Sequence, residues 1–200
     1  MFRVVIALIF MQLMGCSAFP SSSSNSTSKP ISLEFAEPNR IQFRGKGAGA
    51  GIALMSTMGP VGIALGVAID EGIAKDIRKA ISQNIDKDQA DIQSQIKKQL
   101  SKQLEKHDYS VMDSNKETYP KLIIKRFGFK IINGSTDATA AEWAVELHLG
   151  PDEKSTVNYP KDFDKSSVKT YALSDLKTNG KLGLELFTNS FKQVIESLLN

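Results

Sequence analysis

The chain has 200 residues, enough for one domain with a real hydrophobic core. Its formal net charge is only +3, too mild to argue for a nucleic-acid partner. A single cysteine excludes an internal disulfide framework.

Residues 1–15 carry one charge, Arg3, followed by an apolar run from Val4 to Phe10. This is the layout of an export leader, and the run is too short to span a bilayer, which takes about 20 apolar residues. It ends in Leu13-Met14-Gly15-Cys16, with the small residues Ser17 and Ala18 behind. The order Leu-x-Gly-Cys resembles the lipobox of bacterial lipoproteins. That resemblance implies cleavage before Cys16, acylation of Cys16, and an anchor in the membrane. Ser17 follows the cysteine where an aspartate would imply inner-membrane retention, so the resemblance implies the outer membrane, with the folded part facing the periplasm. Residues 16–30 hold the run Ser21-Ser22-Ser23-Ser24-Asn25-Ser26-Thr27-Ser28, which has no apolar area to bury and reads as a tether.

Residues 31–85 form the next unit. Ile31, Leu33 and Phe35 alternate, then Ile41 and Phe43, for one or two short strands. From Gly47 to Ile69, about 23 positions, there is no charged residue. Gly47 and Gly51, and Gly62 and Gly66, recur four apart, a spacing that stacks them on one helical face and lets helices approach closely. Gly59-Pro60 breaks the run in the middle. The pattern resembles glycine-zipper segments of bacterial envelope proteins, which implies a small-residue hairpin inserting in a membrane or packing against its own copies. The competing reading is a buried core helix or a glycine-rich loop. Beyond Asp70 the chain becomes charged and helical, with Ile73, Ile77, Ile81 and Ile85 on one stripe.

Residues 86–200 read as an α+β domain. Asp86-Lys87-Asp88 breaks the helix, and a second, amphipathic one carries Ile92, Ile96, Leu100 and Leu104 to near Lys106. Tyr109 and Val111 mark a short strand. Leu122 to Ile132 is a longer one, and Asn133-Gly134 a turn. Ala141, Trp143, Val145, Leu147 and Leu149 alternate against Glu142, Ala144, Glu146 and His148, one face for a core and one for water. A polar loop follows, then a last strand over Val168–Leu173. A closing helix carries Leu184, Phe187, Phe191, Val194, Ile195 and Leu198, with Asn179 as its cap. The expected fold is α+β: an antiparallel sheet of three to four strands with helices on one face, preceded by the Gly-rich apolar segment. This order of elements is loosely similar to periplasmic lipoprotein domains of the lipopolysaccharide-transport and curli-secretion type.

Catalytic and metal-binding patterns are thin. His107 and His148 lack the converging third ligand a metal requires. Ser26-x-x-Lys29 and Ser94-x-x-Lys97 stand without the companion motifs of acyl-serine enzymes. Asp152-Glu153 and Asp162/Asp164 fall in polar loops. The sequence-level expectation is a non-catalytic outer-membrane lipoprotein with no cofactor and no metal. It acts as an envelope assembly or interaction factor with a protein partner or by self-association. The alternative is a pore-forming or membrane-perturbing secretion component, and a hydrolase with an unrecognised site is the third reading.

Overall fold

The computed structural model describes residues 28–84, 92–112 and 119–199. The leader, Cys16, most of the serine-rich tether and the Asp86-Lys87-Asp88 break lie outside the described residues. The elements run β1 (Lys29–Phe35), β2 (Gln42–Arg44), α1 (Lys46–Met58), α2 (Pro60–Gln83), α3 (Ile92–Glu105), β3 (Tyr109–Met112), β4 (Lys121–Ile131), β5 (Ala138–His148), β6 (Lys154–Tyr159), β7 (Tyr171–Ala172), α4 (Leu173–Thr178) and α5 (Gly180–Leu199).

The fold is α+β, but the sheet is larger than the expected three or four strands and is mixed rather than antiparallel. Among the described residues seven strands join in it, with the path β3-β1-β4-β5-β6, β2 beside β4 and β7 beside β5. The parallel pairs have a simple cause. β1 and β2 precede three helices, and a chain that returns to a sheet after a helical crossover lies parallel to the strand it left. Thus β1 pairs parallel with β3 and β4, and β2 parallel with β4. The β4–β5–β6 part is a meander of antiparallel pairs.

Both edges of the central β4–β5 pair are interrupted. β1 covers Lys121–Ile124 of β4, and β2 covers Gly128–Lys130 of the same strand. On β5, β6 covers Trp143–His148 and β7 covers Ala138–Thr139. The chain therefore enters the sheet near the first residue of β4 and leaves β2 for the helices near its last. Two strand segments differ from the sequence expectation. β6 lies inside the expected polar loop, and the expected strand 168–173 shrinks to two residues before α4 begins.

The inward rows carry the core. Leu122, Ile124, Phe127 and Phe129 of β4 lie opposite Leu147, Val145, Trp143 and Ala141 of β5, all buried. α5 lays Phe187, Phe191, Val194 and Ile195 on them, while α2 adds Ala74, Ile77 and Ile81 and α3 adds Ile96, Leu100 and Leu104. Trp143 is the hub. Its ring lies 5.3 Å from Phe187, 5.2 Å from Phe191 and 6.0 Å from Phe127, and its Nε1 donates to Ser190 Oγ at 2.8 Å. Leu149, read from the alternation as the end of this row, lies past the strand and is exposed.

The outward rows are small residues shaded by long charged ones. Glu142 is almost fully buried between Arg44 at 3.7 Å and Arg126 at 3.5 Å. Farther along, Glu146 meets His148 at 3.0 Å and Lys125 at 3.7 Å.

Candidate functional site

The uncharged stretch folds as an antiparallel helical hairpin of α1 and α2. Gly59, at φ 58°, is the turn between the arms, a backbone conformation that glycine adopts without steric cost. Pro60 then starts α2, where its fixed φ suits a first helical turn and its missing N–H costs nothing.

The four zipper glycines meet one another inside this hairpin. Gly47, Gly51, Gly62 and Gly66 are buried between the two arms. A Cβ on Gly47 would overlap the carbonyl oxygen of Gly66, one on Gly66 the carbonyl oxygen of Gly47, and one on Gly62 the backbone of Leu54–Met55. Gly49, by contrast, has open space around it. The close approach of the backbones is thus spent within one chain, and the surface turned outward is made by other residues.

That surface is apolar on both flanks. Ile52 is 73% exposed and Val67 66%, and Met55, Met58, Val61, Ile63, Leu65 and Ile69 are all more than two-fifths exposed. On α2 the exposed positions 61, 63, 65, 67 and 69 step by about 200° each at 3.6 residues per turn, so they occupy both sides of the arm. The polar groups near the tip are already satisfied. Ser56 Oγ donates to the Ala53 carbonyl at 2.8 Å, Thr57 Oγ1 to the Leu54 carbonyl at 3.1 Å, and Gly59 N–H to the Met55 carbonyl at 3.0 Å.

Charge begins abruptly at the base. Asp70 accepts from Gly47 N–H at 2.6 Å and from Gly45 N–H at 3.2 Å. Gly45 has no side chain to cap α1, so the carboxylate of the opposite arm does so, placing a negative charge at a helix N-terminus. Gly45, at φ 128°, sits against Ile131 at the end of β4, which seats the hairpin on the sheet. Glu71 pairs with Arg40 at 3.3 Å and Arg78 at 2.7 Å just below.

The other sequence candidates do not come together. His107 lies in the turn after α3 and His148 at the end of β5. Asp162 accepts from Asn158 N–H at 2.7 Å, a loop-closing bond. Ser94 and Lys97 are on the exposed face of α3. Among the described residues there is no group of three or more His, Cys, Asp or Glu placed to hold a metal. No helix among them is long and apolar enough to cross a membrane.

Among the described residues three carboxylates, those of Asp76, Glu146 and Glu185, are held below their ordinary values, and Glu146 is the least exposed of them. The His148 hydrogen bond, helped by Lys125, holds Glu146 below the ordinary value of 4.5. A depressed folded-state value means that the contribution to stability is present above 4.5 and is lost as pH falls through the lower value. His148→Ala is expected to bring the Glu146 titration midpoint back up when carboxyl resonances are followed by NMR. An unmoved midpoint would assign the depression to Lys125 and Lys154.

Two features had no sequence signal: the Asp70 clasp, formed by a residue 23 positions beyond Gly47, and a cleft beside the hairpin base that joins β4 to the loop after β6. No protein-family model matches the chain, and no curated protein sequence matches it either.

Proposed function

We propose that this chain is a lipid-anchored protein of the bacterial outer membrane, facing the periplasm, that works by contact rather than catalysis. In this reading Cys16 carries the acyl anchor and the α1–α2 hairpin is the contacting part, a device for envelope assembly or attachment. The observation that carries the reading is the hairpin surface, apolar on both flanks and uncharged from Gly47 to Ile69, with its hydroxyls turned back onto its own carbonyls. A water-facing helix normally keeps a polar face. This one keeps none above its base.

The magnitudes favour a bilayer as the first contact. Eight large side chains stand about half exposed there. At 1.5–3 kcal/mol for full burial, each retains about 1 kcal/mol of unrealised transfer free energy, or about 8 kcal/mol together. A single myristoyl chain binds membranes with an association constant of about 10⁴ M⁻¹, some 5–6 kcal/mol. The uncharged part of each arm is about 15–18 Å long at 1.5 Å per residue, against a hydrocarbon thickness of about 30 Å. The arms suit insertion into one leaflet and are short for the pore-forming alternative. Self-association through the glycines would compete with the contacts they already make.

The leaderless chain 17–200 keeps every described element and tests the hairpin without the anchor. It is expected to float with liposomes in a density gradient. Val61→Asp with Val67→Asp should lower the bound fraction more than tenfold, since an aspartate at mid-membrane costs about 3 kcal/mol. If the leaderless chain stays at the bottom of the gradient and elutes as an oligomer, the hairpin serves self-association instead. For the anchor, mass spectrometry of the mature protein is expected to find acylated Cys16 at its amino terminus.

A further inference from the structure

At the base of the hairpin the sheet and the β6–β7 loop enclose a cleft of about 230 Å³. Ile131, Phe163 and Val168 give it an apolar floor, and all three belong to or pack on the core. Lys130, Lys161 and Lys165 line its mouth, with Lys161 and Lys165 exposed. The floor residue Ile131 is the one on which Gly45 seats the hairpin, so cleft and hairpin share a wall. A second, more open cleft of about 490 Å³ shares Lys130, Ile131, Ile132 and Asn133 with it and extends toward Arg44 and Asp70.

The carboxylates nearby, those of Asp162 and Asp164 in the same loop among them, are not part of the first cleft's lining. Asp70 accepts from the amides of Gly45 and Gly47, Asp162 from Asn158, and Asp137 from Leu173 N–H at 3.2 Å. Arg44 faces Glu142, and Lys46 donates to the Thr136 carbonyl. The lining thus holds three lysines and no carboxylate over an apolar floor. Ligand sites for whole drug-sized molecules run about 300–1,000 Å³, so this one suits the head and first methylenes of a larger amphiphile.

We propose that this cleft binds the anionic head of a membrane lipid, the acid group among Lys130, Lys161 and Lys165 and the first part of the chain on Ile131, Phe163 and Val168. It places one lipid beside the point where the hairpin meets the sheet. The bilayer as the source of that lipid rests on the reading of the hairpin given above; the cleft chemistry does not.

Calorimetric titration of chain 17–200 with decyl phosphate below its micelle concentration tests the cleft. Decyl phosphate is expected to bind at least tenfold more tightly than inorganic phosphate and than decyltrimethylammonium. Lys161→Glu with Lys165→Glu should weaken it at least tenfold, and Val168→Trp, which fills the floor without changing charge, should do the same. Val67→Asp on the hairpin should leave it unchanged, which separates failure of the cleft from failure of the hairpin. In flotation, vesicles containing phosphatidylglycerol should capture wild type better than pure phosphatidylcholine, and the double lysine variant should lose that preference. Equal binding of inorganic phosphate, equal binding of the cationic amphiphile, unchanged affinity in the lysine and Val168 variants, or a retained phosphatidylglycerol preference would each overturn the proposal.

Discussion

Trp143→Ala is expected to lower the stability of the domain by about 4 kcal/mol, within the range of large-to-small core substitutions. The side chain is 1% exposed and touches aromatic rings from β4 and α5 at once. Its removal loses the transfer free energy of an indole and leaves a hole bounded by Phe127, Phe187 and Phe191, which strand and helix backbones prevent from closing. For a chain of this size the loss corresponds to a fall in melting temperature of roughly 8–16 °C. Trp143→Phe should cost distinctly less. It keeps a ring in the cluster, and Ser190 Oγ, which accepts from the indole, retains its own bond to the Leu186 carbonyl at 2.6 Å. Thermal melts followed by circular dichroism read both variants. Equal losses for alanine and phenylalanine would mean that the hydrogen bond, and not the packing, holds this centre.

Gly66→Leu is expected to part the arms of the hairpin while leaving the sheet domain folded. Its Cβ would overlap the Gly47 carbonyl oxygen and lie 2.9 Å from Gly51 Cα, with backbone on all sides and no flexible side chain to yield. Gly49→Leu adds the same side chain on the open side of α1 and is the matched control. With spin labels at Ile52→Cys and Val67→Cys in the cysteine-free chain 17–200, the label separation should lengthen and broaden for Gly66→Leu and stay narrow for Gly49→Leu. Limited proteolysis between residues 46 and 70 should be at least tenfold faster in the first and near wild type in the second. A narrow distance in Gly66→Leu would show that the arms are held by something other than glycine-to-glycine contact.

The legible parts of the sequence were those where one physical rule acts alone. β5 alternates strictly because one face meets α5 and the other carries small residues and carboxylates beneath long charged side chains, and α5 shows a clean helical stripe because it lies on that first face. The break at Gly59-Pro60 was visible because both residues act through their own backbones. The four glycines announced a close approach by their spacing, yet spacing does not say whether the partner is the other arm or another molecule. β6 was hidden because an edge strand turns most of Lys154–Tyr159 to solvent, with only Val157 and Tyr159 inward. The parallel pairing of β1 and β2 was hidden because strand direction follows from where a crossover lands, which local pattern does not encode. The cleft was illegible for a related reason: Lys130 and the pair Lys161 and Lys165 are about thirty residues apart and meet only through the β4–β5–β6 meander.

The entry and exit points of the sheet set how such a molecule can sit. β1 starts beyond the first residue of β4, and the hairpin springs from the last, a separation of roughly 40 Å at 3.3 Å per strand residue. The 13 residues 16–28 reach at most about 45 Å when fully drawn out. If the proposed anchor and hairpin hold one membrane together, the tether is drawn almost taut when the sheet stands on end and hangs loose when it lies flat, so the mooring permits every tilt between the two.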